Sequence, residues 1–403
     1  MKILVLNSGS SSVKYELFDI QSEIGLAEGQ IEAIGTDTTF LSHSQGEKKT
    51  KIPIVAKDHT TAINEVLKIL TSSENGIIKN KNEITAVGHR IVHGGEFFTE
   101  PVIVTDDVKR DLEKCYDIAP LHTPHHVKGI LAIETLIPKV PQVLVFDTAF
   151  HKTIPEYAYL YALPYKYYQN FGIRKYGFHG ISNQYIVERL SQIVKTPAEK
   201  LKIVNCHLGN GSSITAVRYG KSIDTSMGFT PLEGLIMGTR SGDIDPSIPM
   251  HLMSRESLKP SDVQAILNNQ SGLLGIAGIS SDMRTVIKKC EEGHEKAKLA
   301  IDMFCYRAKK YVSSYIGVLN GCDYIVFSAG IGERSPLIRK KILSELENFG
   351  ILIDDEKNSK CISCEEEISD KKSKIKVLVI PTNEAIVIAR QTKKLIDSYV
   401  KNK

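Results

Sequence analysis

Cysteine is scarce in this 403-residue sequence: there are seven, an odd number, scattered along the chain. That excludes a disulfide scaffold, which packs an even set of cysteines into a short chain. Only Cys361 and Cys364 stand close together, and no second pair completes a zinc site. The pair reads as structural or incidental, with a redox or metal role as the alternative. Long apolar runs are also missing, and none approaches the ~18 residues of a membrane span. The stretch Ile3 to Leu6 is too short for a signal-peptide core and runs at once into Asn7-Ser8-Gly9. The chain is therefore expected in the cytoplasm, away from membranes. Charge is nearly balanced: 51 Lys and Arg against 47 Asp and Glu leave +4, too little to indicate a nucleic-acid partner. Lys371-Lys372 and Lys393-Lys394 read as solvated surface.

Familiar nucleotide signatures are absent as well. Gly220-Lys221-Ser222 resembles the end of a P-loop, but Thr215 stands where its leading glycine belongs. Gly209-x-Gly211 is followed by Ile214 where a dinucleotide fingerprint needs Gly or Ala. Protein-kinase signatures are missing too.

The rest of the composition is that of a globular protein, with 42% hydrophobic and 24% charged residues. At ~150 residues per domain the length suggests two or three domains. Strand-like and helix-like segments alternate, which predicts an α/β fold. Four short apolar runs, Ile3–Leu6, Val143–Phe146, Ile203–Cys206 and Tyr324–Phe327, each end in a polar or Gly-rich cluster. Ligands in open α/β sheets gather at such strand ends. Helical periodicity runs from Ala300 to Leu319 and stops at Asn320-Gly321. A second pattern runs through Ala385, Ile388, Ala389, Thr392, Leu395, Ile396 and Tyr399, with Asn383 as N-cap and its aromatic position expected in the core.

The chain also resembles itself. Shifted by 200 residues, Ile3 to Ser12 overlies Ile203 to Ser212, with Gly9 on Gly209 and Ser12 on Ser212. Both copies read strand, Gly/Ser turn, strand. Val145-Phe146-Asp147 finds a counterpart in Val326-Phe327-Ser328. Together these matches predict a duplicated domain whose halves face a cleft.

Gly/Ser turns present backbone N–H groups that can cradle phosphate oxygens. Three such turns end strands here: Asn7 to Ser12 with Lys14 beyond, Gly209 to Ser213, and Gly330 to Arg334. Hairpin geometry alone can also require such glycines. Arg90 and Arg240 lie in Gly-rich segments that let a ligand approach a guanidinium, whose planar fork suits carboxylate or phosphate. Surface ion pairing is the alternative for both. His179, between Phe178 and Gly180, reads as either a ligand contact or a structural histidine. Asp147 and Glu384 follow strand-like runs and are candidate oxygen ligands for hydrated Mg²⁺. His122-Thr123-Pro124-His125-His126 fits no zinc spacing.

These motifs, in this order from residue 3 to residue 390, resemble the acetokinase family, of the superfamily that includes sugar kinases, actin and heat-shock ATPases. The resemblance rests on Asn7 to Lys14, the Arg90 and His179 segments, Val145 to His151, His207 to Ser213, Met227 to Pro246, the Gly330 loop and Pro381 to Glu384. It implies two duplicated ribonuclease H-like (actin-like ATPase) domains around a cleft that closes on ATP. They would comprise residues 1–150 plus 386–403, with the C-terminal helix returning, and a nucleotide-binding domain, 151–385. The implied reaction is reversible, Mg²⁺-dependent, direct in-line transfer from ATP to acetate, giving acetyl phosphate and ADP, with Mn²⁺ as a possible substitute ion. Arg90 and Arg240 would hold the carboxylate and the migrating phosphoryl group, His179 would stabilise that group, and Asp147 would sit at the active centre. Asn7 and Glu384 would hold the metal, mainly through water. Val92, Leu121, Phe178 and Pro231 would line the methyl pocket. ATP would meet Lys14, His207, Leu208, Gly209, Asn210, Gly211, Asp282, Met283, Arg284, Gly330, Ile331, Gly332, Glu333 and Arg334. Ser10, Ser12, His122 and Asn210 would touch phosphate. The family also implies a homodimer. Rival readings are a propionate or butyrate kinase, a pyrophosphate-dependent enzyme and a non-catalytic nucleotide or acyl-phosphate sensor.

Overall fold

A computed structural model describes residues 1–120 and 122–401. The chain divides into two compact units, one running from Met1 to Ala149 and resuming at Asn383, the other Phe150–Thr382. The second break falls after Thr382 rather than after 385, because Asn383 caps the helix Glu384–Lys401 of the first unit: its Oδ1 accepts from the Ile386 amide at 3.0 Å.

In the first unit, strands β1 Lys2–Ser8, β2 Val13–Asp19, β3 Ile24–Glu32, β4 Phe40–Gln45, β5 Lys48–Pro53, β6 Ile84–Ile91, β7 Val102–Ile103 and β8 Gln142–Phe146 form one sheet. Its order is β5-β4-β3-β2-β1-β6-β8-β7. β1, β6 and β8 are parallel neighbours and the remaining pairs are antiparallel. Strands buried on both faces read as continuous apolar runs, and Ile3, Leu4, Val5 and Leu6 are all buried. Alternate side chains go to opposite faces. Leu4 and Leu6 join the core formed with the helices His59–Thr71 and Thr123–Leu136. Val5 and Asn7 face the C-terminal helix, as do Gly88 and Arg90 on β6. Gly88 is required there, since a Cβ would lie 2.5 Å from Thr392 Oγ1 and 2.7 Å from Ile388 Cγ2.

In the second unit, strands β9 Lys202–Leu208, β10 Ser212–Arg218, β11 Lys221–Thr225, β12 Tyr324–Ser328, β13 Glu366–Glu367 and β14 Lys376–Val379 form a sheet ordered β11-β10-β9-β12-β14-β13. Val204, Cys206 and Leu208 pack with Phe304 and other residues of the helix Glu295–Val318. Ile203 and Val326 pack oppositely, against Ile186, Val187 and Leu190 of the helix Gly180–Ile193. The same period turns Asn205 and His207 toward that second helix.

The first sheet repeats the second strand for strand, as β3-β2-β1-β6-β8-β7 against β11-β10-β9-β12-β14-β13 with the same parallel and antiparallel pairings. The duplicated α/β fold is thus visible in the topology, with two corrections. Val326-Phe327 lies on β12, the counterpart of β6, so Val145-Phe146 on β8 corresponds instead to β14. The 200-residue shift also fails after the turn: Ser8 pairs with Val13 whereas Leu208 pairs with Ser212, so the first loop is one residue longer.

Other differences are local. The Gly330 segment is not a turn between strands but a short helix, Ala329–Arg334, leaving β12 directly. Tyr399, expected in the core from its spacing, is 45% exposed. Cys361 and Cys364 are joined as a disulfide with Cα atoms 5.5 Å apart.

Candidate active site

Arg90 leaves the C-terminal end of β6 and Asp147 follows β8 directly, its amide bonding the Ile91 carbonyl at 2.9 Å. Arg90 Nη2 donates to Asp147 Oδ2. Its Nε lies 3.3 Å from Glu384 Oε2, within ion-pair range but not aligned as a hydrogen bond. The guanidinium is therefore held between two protein carboxylates. Burial works against its charge, but Asp147 and Glu384 outweigh this and keep it above its usual range. Burial pushes the Asp147 carboxyl up to about 7; Arg90 opposes the rise and Glu384 adds to it.

Asn7, Lys14, Arg90 and Glu384 line one cavity of about 460 Å³ in this unit. Asn7 and Lys14 are cross-strand partners. Asp147 Oδ1 is buried and has no hydrogen-bond partner among the described residues. Among those residues no three His, Cys, Asp or Glu side chains form a direct metal shell. An unpaired oxygen on the carboxylate that shares Arg90 with Glu384, and Asn7 in the same cavity as Glu384, suit an ion that keeps its water, as Mg²⁺ does.

Behind these groups, His126 Nε2 accepts from the Val92 amide at 3.3 Å. Burial and the nearby Arg90 charge hold His126 well below its usual range, so it is neutral. Val92 itself is buried. His122 is the N-cap of the Thr123–Leu136 helix, while Leu121 lies outside the described residues. The Gly9 loop is closed by Gly9 N to Ser12 O at 2.8 Å and braced by His59 Nε2 on the Gly9 carbonyl at 2.7 Å, leaving Ser10 exposed.

The second unit holds a separate cluster. His179 is N-cap of the Gly180–Ile193 helix and adopts a left-handed backbone, φ 58°, a region uncommon for non-glycine residues but one that histidine enters more readily than most. Asn183 Nδ2 donates to the His179 carbonyl at 2.8 Å, and Asn205 Nδ2 to Asn183 Oδ1 at 2.8 Å. The imidazole stacks on His207, with centroids 4.1 Å apart. Ser213 Oγ lies 2.9 Å from His179 Nδ1, and Ser182 Oγ 2.8 Å from His207 Nδ1. Arg240 Nη1 donates to the Pro231 carbonyl at 3.3 Å, and burial lowers its guanidinium. His179 Nε2 and Arg240 Nη1 each lie 3.6 Å from the point a Gly211 Cβ would occupy. The β9–β10 loop closes with Gly209 N to Gly211 O at 3.1 Å, and Asn210 is exposed at its tip.

Several expected nucleotide contacts are restricted by their burial. Leu208 and Met283 side chains belong to the hydrophobic core, so only their backbone could meet a ligand. Gly332 is buried too, and Glu333 Oε1 accepts from the Thr382 amide at 3.0 Å. Gly330 and Ile331 leave more surface exposed, and Arg334 donates to Ser363 Oγ at 3.0 Å. Asp282 caps the helix Met283–Glu291 and pairs with exposed Arg284 at 2.6 Å. Phe178 is buried, its carbonyl held by His151 Nε2 at 2.8 Å.

Asn183 and Ser182 lie outside every candidate motif of the sequence, Asn205 enters only within the apolar run Ile203–Cys206, and Ser213 only as the last residue of the Gly209 to Ser213 turn, none with a role of its own. The available signal was a polar residue inside an apolar strand, as at Asn205, but its partner lies on a helix 22 residues away in sequence.

A doubly built ribonuclease H-like sheet, with charged groups at its strand ends and a histidine and arginine over a glycine loop, is the actin-like ATPase architecture. The sequence profile of the acetokinase family matches residues 2–390, and the chain belongs to that family. It is 50% identical over 398 residues to acetate kinase from Caldicellulosiruptor saccharolyticus, covering 98% of this chain and 100% of that one. The crystal structure of Porphyromonas gingivalis acetate kinase matches with TM-score 0.94 at 43% identity, covering 98% of this chain and 99% of that one. That of a propionate kinase from Francisella tularensis matches with TM-score 0.92, also at 43% identity and with coverage of 98% and 99%.

Proposed function

We propose that this chain transfers the γ-phosphoryl group of ATP to acetate, reversibly and in one in-line step. A carboxylate oxygen attacks the γ-phosphorus as the bond to the ADP oxygen breaks. The observation that carries this reading is the convergence of His179 Nε2 and Arg240 Nη1 over bare Gly211, in a family of carboxylate kinases. Acetate is ionised at pH 7, since its pKa is close to those of Asp and Glu, at about 4. It needs no general base. The difficulty is bringing one anion to another: at 4 Å two unit charges repel by about 4 kcal/mol at an effective dielectric of 20. Arg240 and His179 offset this as charge spreads over the equatorial phosphoryl oxygens.

In this reading most nucleotide contacts come from the second unit, while residues of both units serve the phosphates and the acceptor. Arg90 binds acetate, and Asp147 orients Arg90 instead of taking a proton. Asn7, Glu384 and the unpaired Asp147 oxygen would hold Mg²⁺, which would supply charge neutralisation on the phosphates. Lys14, the β9–β10 loop, Asp282 to Arg284 and the Gly330 helix contribute nucleotide contacts, with Ser10, Ser12 and His122 toward phosphate. A homodimer follows from the family reading alone and a cytoplasmic location from the short apolar runs of the sequence; light scattering and cell fractionation check them.

The F. tularensis propionate kinase, at the same 43% identity as the P. gingivalis acetate kinase, favours a second reading in which propionate is the acceptor. One methylene is worth only about 1–3 kcal/mol. Purified protein with Mg-ATP is assayed against formate, acetate, propionate and butyrate, trapping acyl phosphate as hydroxamate while ADP is measured. The highest kcat/KM is expected with acetate. A maximum at propionate or butyrate shifts the acceptor, and ATP binding without turnover on any acid leaves a sensor.

A further inference from the structure

His179 can meet a phosphoryl oxygen as a donor only if Nε2 carries a proton. A neutral imidazole has one N–H, and the bond made by its other nitrogen decides where it sits. That other nitrogen, Nδ1, lies 2.9 Å from Ser213 Oγ. Ser213 is fully buried on β10, opposite His207 in the sheet register. Among the described residues the Ser213 hydroxyl has one hydrogen-bond partner, His179 Nδ1. A buried hydroxyl that kept its hydrogen from this acceptor would leave a donor unsatisfied, which folded proteins avoid. The hydroxyl hydrogen therefore goes to Nδ1, Nδ1 accepts, and the imidazole proton is on Nε2. The opposite tautomer would turn a lone pair toward the oxygens of the migrating group.

We propose that Ser213 is a positioning residue for phosphoryl transfer, holding His179 as the Nε2-protonated tautomer aimed across Gly211 beside Arg240. The inference deepens the proposed function and rests on it for what His179 does. It draws on a separate observation, the bonding of Ser213. The rest of the environment fixes the ring on which Ser213 acts. Asn183 holds the backbone carbonyl at 2.8 Å, His207 stacks on one ring face, and Ser182 holds His207 in turn at 2.8 Å. With the ring thus fixed, rotation cannot easily exchange the two nitrogens, and the hydroxyl selects between the tautomers.

The test uses the full chain. Long-range ¹H–¹⁵N NMR of ¹⁵N-histidine-labelled protein, with His179 assigned from a His179→Gln variant, reads the tautomer without turnover. Ser213→Ala and Ser213→Thr are then assayed with Mg-ATP and acetate. The expected result is an Nε2-protonated His179 in the wild type, a Ser213→Ala protein with kcat lowered about 10–100-fold at nearly unchanged KM, and recovery of most of kcat in Ser213→Thr. An Nδ1-protonated His179 in an active wild type, or unchanged kcat in Ser213→Ala, overturns the positioning role alone. A wild type that forms no acyl phosphate from any acid overturns the functional reading and takes the positioning role with it, whatever the spectrum shows.

Discussion

Asp147 and Arg240 carry opposite demands at the scale of single residues. The Asp147 carboxyl is raised to about 7, whereas in an unfolded chain it ionises near 4. Between these values the folded state holds the extra proton, so this group's contribution to stability falls as pH rises from about 4 to about 7 and levels off above. Its ionic pairing with Arg90 strengthens only as pH passes through about 7, where the folded carboxyl ionises and can counter the guanidinium charge. The Asp147→Asn variant should therefore gain stability relative to wild type as pH climbs through this window, read by thermal melts from pH 4.5 to 8. Its kcat should be lower at every pH. A variant whose only defect was a shifted acidic limb would make Asp147 a base instead of an orienting group. Arg240 is held within the fold mainly by weak contacts, to the Pro231 carbonyl at 3.3 Å and Met237 sulfur at 3.8 Å. Arg240→Ala should fold normally and lose about 10³-fold or more in kcat, the size of a charge supplied to a phosphoryl transition state. A loss confined to KM would move Arg240 to ground-state binding.

For whole elements, the C-terminal helix connects fold to site in the first unit. It lies against β6 because Gly88 has no side chain, and the same helix begins with Glu384 beside Arg90. Gly88→Ala would press a Cβ into Thr392 and Ile388, 2.5 and 2.7 Å away. Such overpacking costs typically about 1–3 kcal/mol, measurable by urea unfolding. Activity should fall as well, since lifting the helix displaces Glu384 from Arg90; a destabilised variant with full activity would separate the two. In the second unit the Gly180–Ile193 helix serves a similar purpose. It buries Ile186, Val187 and Leu190 against the sheet, and its N-cap is His179.

Across the whole molecule, each unit has its own sheet and its own cores. If the second unit carries the nucleotide, Mg-ADP should slow hydrogen exchange most at Gly209 to Gly211 and near residues 329–334. At a hundredfold excess over Kd the ligand should add about 2.7 kcal/mol to the stability of the state it binds. Protection largest in β3 to β5 of the first unit would contradict this assignment.

Local pattern alone set the α/β class, the two matching Gly/Ser hairpins and the strand ends where Asn7, Asp147 and Asn210 stand, whereas Arg90 read only as an arginine in a Gly-rich segment and its strand came from the structure. These are written in local patterns: an apolar run, then polar residues or glycine. Tertiary structure decided the pairings. Residues 90, 147 and 384 meet only because β6 and β8 are neighbours and the C-terminal helix returns across them. Side-chain direction was equally hidden, so Leu208 and Met283 turned into the core. The equivalence of β8 with β14 could not be read from similar apolar triplets, because any buried parallel strand has that composition and only hydrogen-bonded order tells one from another. The bond from Ser213 to His179 joins residues 34 apart in sequence on a strand and a helix. No periodicity encodes it, since it depends on the three-dimensional placement of two backbones whose side chains meet.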